Sequence, residues 1–124
     1  MAIKKRILAL DDDRVYSKFL KELLESWGYE VETVETTDQA CYALGQRSFD
    51  VVLMDVWSKG EQLGSQFAKE LKRKYPRTKL VLLSGTERLD SFAKAYGADA
   101  YCDKARGYND YLEEILSKVK RREK

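Results

Sequence analysis

Ile7-Leu8-Ala9-Leu10, Val51-Val52-Leu53-Met54 and Leu80-Val81-Leu82-Leu83 are three apolar runs, and a polar residue follows each at once: Asp11 with Asp12 and Asp13, then Asp55, then Ser84. A run that is apolar at every position, rather than at alternate ones, suits a strand buried on both faces. Such strands form the middle of a parallel sheet whose two sides are covered by helices. In an open sheet of that kind, ligands bind beyond the carboxyl ends of the strands, near the point where strand order reverses. The sheet therefore gathers up to four carboxylates, a hydroxyl and, further along, Lys104 at one edge. That set suits a divalent cation and a phosphoryl group.

The segments between the runs carry helical patterns. Val15, Phe19, Leu23 and Trp27 recur every four residues, with Leu20 and Leu24 beside them. They predict an amphipathic helix with a wide apolar face, Phe19 and Trp27 in the core, stopped by Gly28. Tyr29 to Val34 alternates like a strand. Thr36 or Thr37 is placed to cap a short helix running to Leu44 and ended by Gly45. A loop with Gly60 and Gly64 precedes a helix bearing Leu63, Phe67 and Leu71, bounded by Pro76. A weaker helix spans about 87–96, before Gly97. Residues 98–102 make a short strand, and Tyr108, Tyr111, Leu112, Ile115 and Val119 form the stripe of a last helix. Five strand–helix units joined by short connections predict a three-layer α/β sandwich with right-handed crossovers.

Composition narrows the function. A chain of 124 residues fits one domain, here 1–124, with a single real core. With 23 basic and 21 acidic residues the net charge is +2, too balanced for the basic field of a nucleic-acid binder. The basic cluster from Lys118 to Lys124 reads as a solvated helix end that complements the helix dipole. Cys41 and Cys102 make no zinc spacing, and there is no histidine, which removes Ser-His-Asp and Cys-His nucleophile pairs as well as histidine metal ligands. Three aspartates cut short the apolar stretch after the basic start, so no signal-peptide pattern forms, and no run is long enough to span a membrane. Free thiols and a cytoplasmic location are expected.

Along nearly its whole length the chain resembles the receiver domain of two-component response regulators. The resemblance rests on Asp11-Asp12 after the first strand, Asp55 ending the third, Ser84 ending the fourth and Lys104 after the fifth. Gly97-Ala98-Asp99-Ala100-Tyr101 leads into that fifth strand. It implies a flavodoxin-like (βα)5 fold with parallel strand order 2-1-3-4-5. It also implies a switch rather than an enzyme. Asp55 would accept a phosphoryl group from a histidine kinase. Asp11, Asp12, Asp55 and the backbone carbonyl of Trp57 would hold Mg²⁺, with Asp12 the more direct ligand of the acid pair. Lys104 would pair with the phosphoryl oxygens, Ser84 would hydrogen-bond to the phosphoryl group, and Tyr101 would turn inward behind it. The output would pass to a downstream protein partner, with no direct binding of nucleic acid or membrane.

Several positions depart from the family pattern. Ala105 stands where a proline with a cis bond is usual, so a trans Lys104–Ala105 bond is expected. Lys59 replaces a common proline, Gly64 lies nine residues past Asp55, and the segment from Ser84 to Lys104 is short. The bulky Trp57 is expected to cover the acyl phosphate partly and alter its hydrolysis. Plain structural roles stand beside each of these assignments. One of the three aspartates serves as a helix cap, Asp55 or Ser84 alone would suit a turn, Lys104 alone would be a surface lysine, and Cys102 is a small buried hydrophobe. Two other functions compete. One is a small phosphatase of the haloacid-dehalogenase type, with Asp11 as nucleophile and Asp13 as acid/base. The other is a degenerate receiver that only binds partners.

Overall fold

The protein is described by a computed structural model over residues 4–58, 61–62, 65–85, 89–104 and 108–120; at residues 57–58, 61–62, 84, 89–90 and 108–110 only the backbone is considered. The main elements follow one another as β1 (Arg6–Leu10), α1 (Arg14–Ser26), β2 (Glu30–Val34), α2 (Thr37–Gln46), β3 (Val51–Asp55), α3 (Ser65–Lys74), β4 (Lys79–Ser84), α4 (Leu89–Tyr96), β5 (Ala100–Asp103) and α5 (Tyr108–Ser117). The five strands form one parallel sheet, as the apolar runs predict, in the order β2-β1-β3-β4-β5 that the family resemblance implies. A separate antiparallel ribbon of two short strands, Trp57–Ser58 and Glu61–Gln62, follows β3 where the sequence predicts only a loop.

The central runs are apolar throughout because both sheet faces are covered. Leu8, Leu10, Val52, Met54, Leu80 and Leu82 point to one side and pack with residues of α2, α3 and α4, among them Ala40, Leu44, Phe67, Leu71 and Ala93. Ile7, Ala9, Val51, Leu53, Val81 and Leu83 point to the other, against Leu20 and Leu24 of α1 and Leu112 and Leu116 of α5. The side-chain period of two along each strand thus feeds two cores. Register aligns Leu10 with Met54, Asp55 with Leu83 and Ser84 with Asp103, so the polar stops end together at the carboxyl edge.

The helices depart from the sequence reading in three places. On α1 the buried positions are Ser17, Leu20 and Leu24, whereas Val15 is 82% exposed and Phe19 48%. Steps of four residues overshoot a period of 3.6, so the Val15–Phe19–Leu23–Trp27 ladder walks round the helix: Leu23 and Trp27 are half-buried, and Trp27 packs against the core. Helix α2, capped by the Thr36 side chain, runs through Gly45 to Gln46 rather than ending at the glycine. On α5, Leu116 is fully buried and Tyr111 half-exposed, which moves the stripe by one residue. Gly28 and Gly97 do end helices with positive φ, 94° and 67°, where a side chain would be strained.

Candidate functional site

The carboxyl edge of the sheet brings Asp11, Asp55 and Lys104 together. Asp11 follows β1, Asp55 closes β3 and Lys104 follows β5, so three strand ends supply one group each. The Lys104 ammonium donates to Asp11 Oδ2 and to Asp55 Oδ2, each at 3.0 Å. The side chains of the three are only 21%, 5% and 13% exposed for Lys104, Asp11 and Asp55. A lysine 93 residues from Asp11 in sequence is thereby the cation shared by two carboxylates.

Local geometry gives the three adjacent aspartates different work. Asp13 is the N-cap of α1: it is extended, and its Oδ1 accepts the Tyr16 amide at 3.1 Å. Asp11 is almost wholly buried, its Oδ1 accepting the Asp13 amide at 3.0 Å while Oδ2 receives Lys104. Asp12 lies between them, half-buried. Among the described residues no three acidic or cysteine side chains converge as a ready metal cage.

Burial and charge pull in opposite directions here. Burial pushes the Asp11 carboxyl above its ordinary 3.8; the Asp13 amide and Lys104 oppose that rise, and the neighbouring charge of Asp55 adds to it. Burial alone would depress Lys104, but the charge of Asp55 and the hydrogen bond to Asp11 outweigh it and hold the ammonium above 10.5. The asymmetry follows from what each group is given. Lys104 has two anions to offset its desolvation, whereas Asp11 shares one cation with a second carboxylate.

A residue that no motif singled out completes this shell. Tyr16, in the first turn of α1, places its ring 3.9 Å from the Lys104 ammonium, within cation–π range. No pattern in the sequence marks it, because the contact joins the start of α1 to the residue after β5. Ser84 ends β4 opposite Asp103, at the same edge, but its side chain lies outside the described residues, as do the Trp57 side chain and Ala105. Gly64 and Lys59 also lie outside them. Tyr101, on β5, is 42% exposed, so its ring is turned outward in this structure.

Two other acids hold the opposite edge of the sheet. Asp50, 3% exposed, accepts the Arg6 amide at 2.7 Å, while its own amide and carbonyl tie β1 and β4 to β3. Asp99 accepts the Leu80 amide at 2.8 Å and the Lys72 ammonium at 2.5 Å. Burial alone would raise the Asp99 carboxyl, but those donors and the nearby cations hold it below 3.8. These are framework carboxylates with backbone partners.

Comparison with known proteins agrees with this fold. The family model of the response regulator receiver domain matches residues 7–115. The transcriptional regulatory protein ZraR of Escherichia coli O157:H7 is 32% identical over 115 residues, 91% of this chain and 26% of that protein. The nitrogen assimilation regulatory protein NtrX of Azorhizobium caulinodans is 28% identical over 96 residues, 77% of this chain and 21% of that protein. The chain thus spans about a quarter or less of these relatives. Among solved structures, the response regulator TrrA of Thermotoga maritima, in complex with Mg²⁺ and BeF, superposes with a TM-score of 0.78 at 29% identity, covering 91% of this chain and 97% of that one. The chemotaxis protein CheY4 of Vibrio cholerae does so with 0.81 at 25% identity, covering 95% and 100%.

Proposed function

The chain belongs to the response regulator receiver domain family, and from that premise we propose that it is a phosphorylation switch in which Asp55 takes a phosphoryl group from a histidine kinase. The observation that carries this reading is the Lys104 bridge, which sets a mobile cation against a strand-end carboxylate and a buried one. Phosphoryl transfer asks little covalent chemistry of a protein beyond its acceptor; it asks for positioning and for charge to be neutralised as it moves.

One Asp55 oxygen forms the new P–O bond as the donor's P–N bond breaks, and that electron pair stays on the donor imidazole. Lys104 then leaves the carboxylates for the phosphoryl oxygens, Ser84 hydrogen-bonds to the same group, and Tyr101 turns inward from its exposed position. Such a change of one surface alters the affinity of a protein partner, and that difference is the signal. The protein is a stoichiometric switch of the cytoplasm, and its output passes through protein contact rather than through DNA or membrane. Asp13, committed to the α1 cap, does not support the dehalogenase-type alternative.

The donors fit Mg²⁺: Asp11 and Asp55 are hard oxygen ligands at one edge, and that ion needs only one or two carboxylates when water completes its octahedron. Asp11 and Asp55 would hold it, with Asp12 and the Trp57 carbonyl as further ligands, and when bound it supplies charge neutralisation at the acceptor and the phosphoryl oxygens. The Mg²⁺ and BeF bound in TrrA support that choice.

The test is intact mass after incubation with acetyl phosphate and Mg²⁺ for the natural chain, Asp55→Ala and Asp11→Ala. One added phosphoryl group, lost in Asp55→Ala and released by hydroxylamine, is expected. Acetyl phosphate consumption that needs Asp11 but not Asp55 would mean a phosphatase. No adduct and no turnover, with no binding of beryllofluoride, would leave a binding module.

A further inference from the structure

We infer that Tyr16 is a positioning residue for phosphoryl transfer: its ring is the fixed seat on which the Lys104 ammonium stays while that ammonium exchanges its carboxylate partners for phosphoryl oxygens. The inference deepens the switch reading and rests on it.

The geometry around the ammonium divides into partners that must change and one that need not. Two of its N–H bonds are directed to Asp11 Oδ2 and Asp55 Oδ2 at 3.0 Å, and the ring of Tyr16 lies 3.9 Å away. On phosphorylation one Asp55 oxygen becomes part of the acyl phosphate, and Asp11 would serve as a ligand to the divalent cation when that is bound. Both hydrogen bonds are therefore lost or rebuilt. The aromatic face carries no exchangeable charge and is untouched by either event. Lysine is a flexible stem bearing a point charge, so it has no intrinsic geometry to keep it on target. A partly buried cation against an aromatic face gains attraction without being pulled toward one acceptor oxygen.

The seat is itself held. Tyr16 packs against the core on the α1 and α5 side of the sheet. Phe19, one turn on, sets its ring 6.3 Å away at 45°. The Tyr16 amide is tied to the Asp13 cap, which is linked through its own amide to Asp11. The aromatic and one of the carboxylates are thus fixed by a single helix start. An ammonium sampling fewer positions crosses to the phosphoryl oxygens at smaller entropic cost.

The experiment compares the natural chain with Tyr16→Phe and Tyr16→Leu, with Tyr16→Met as a second non-aromatic variant should the leucine form not fold. Two quantities are read: the initial rate of Asp55 phosphorylation by acetyl phosphate at saturating Mg²⁺, and the ring-current shift of the Lys104 ε-methylene protons by NMR in the unphosphorylated protein. Tyr16→Phe keeps the ring, so it should keep the upfield shift and a rate within about two-fold of the natural chain, whereas the non-aromatic variants lose the shift and slow on the order of ten-fold. Circular dichroism and Mg²⁺ affinity should not move, which separates seating of Lys104 from general damage. Non-aromatic variants that react at the natural rate overturn the inference, as does a Tyr16→Phe loss equal to theirs, which would assign the effect to the hydroxyl. Absence of the upfield shift in the natural chain also overturns it. A natural chain that takes up no phosphoryl group overturns the switch reading, and the inference falls with it.

Discussion

Asp11 shows how far neighbours in sequence can differ once folded. Its carboxylate is buried, its charge only partly offset by Lys104, and its pKa is raised by that burial. The sign of the consequence follows from proton binding. The folded state holds this proton more tightly than the unfolded chain, so ionised Asp11 opposes folding, and stability grows as pH falls through its raised value toward 3.8. Replacement by a neutral isostere removes the cost. Asp11→Asn should raise the unfolding free energy in Mg²⁺-free urea titrations at neutral pH, and should flatten the pH dependence just above 3.8. A lower stability for Asp11→Asn would mean that the pairing with Lys104 outweighs the burial. Nothing in Asp11-Asp12-Asp13 as letters distinguishes the buried member from the capping one. Aspartate is a good cap at any of the three positions, and the choice of Asp13 depends on where α1 begins relative to the end of β1.

Helix α2 carries a position where local cost is uncompensated. Gly45 lies inside it, has no positive φ, and an added Cβ would meet nothing within 4 Å. Glycine there costs backbone entropy on folding and has no conformational role to set against it. Gly45→Ala should stabilise the protein by roughly 0.5–1 kcal/mol, read as a higher urea midpoint with an unchanged slope. Sequence reading placed a helix end at this glycine because glycine is common just past helices, but that rule applies where the chain turns left-handed, as at Gly28 and Gly97. The α1 face was misjudged for a related reason. A four-residue ladder of large side chains is conspicuous, yet the sheet accepts Ser17, Leu20 and Leu24, and a small buried serine carries no hydrophobic signal.

The folded domain as a whole shelters one thiol and leaves the other open. Cys102, fully buried in the core beside α1 and α5, has its thiol pushed up to about 11, mainly by burial and further by the charge of Asp103; Cys41 is exposed. Unfolding returns Cys102 to its ordinary 9.0, so between 9.0 and about 11 the folded state retains a proton that the unfolded chain loses. Stability therefore falls as pH rises through that window, by up to about 3 kcal/mol for a two-unit separation. Lys104, raised above 10.5, loses its contribution in the same direction at the upper end. Urea midpoints should drop more steeply across this range in the natural chain than in Cys102→Ala, and iodoacetamide should label Cys41 alone until the chain is unfolded. Equal slopes in the two proteins would show that Cys102 does not titrate differently on folding.

The layered fold was legible because its cause is local and repeated. A strand covered on both sides must be apolar at odd and even positions alike, and Ile7–Leu10, Val51–Met54 and Leu80–Leu83 satisfy that condition within four residues each. The polar stops after them were legible too, since a sheet edge must return to water, and Asp11, Asp55 and Lys104 do meet there. Three matters were out of reach of the letters: which of three aspartates would be buried, which flank of α1 would face the sheet, and that the ring of Tyr16 would lie against an ammonium from the far end of the domain. Each depends on how separate elements are set against one another, by crossover connections that bring residues dozens of positions apart to within a few ångströms. No pattern confined to one helix or one strand carries that distance.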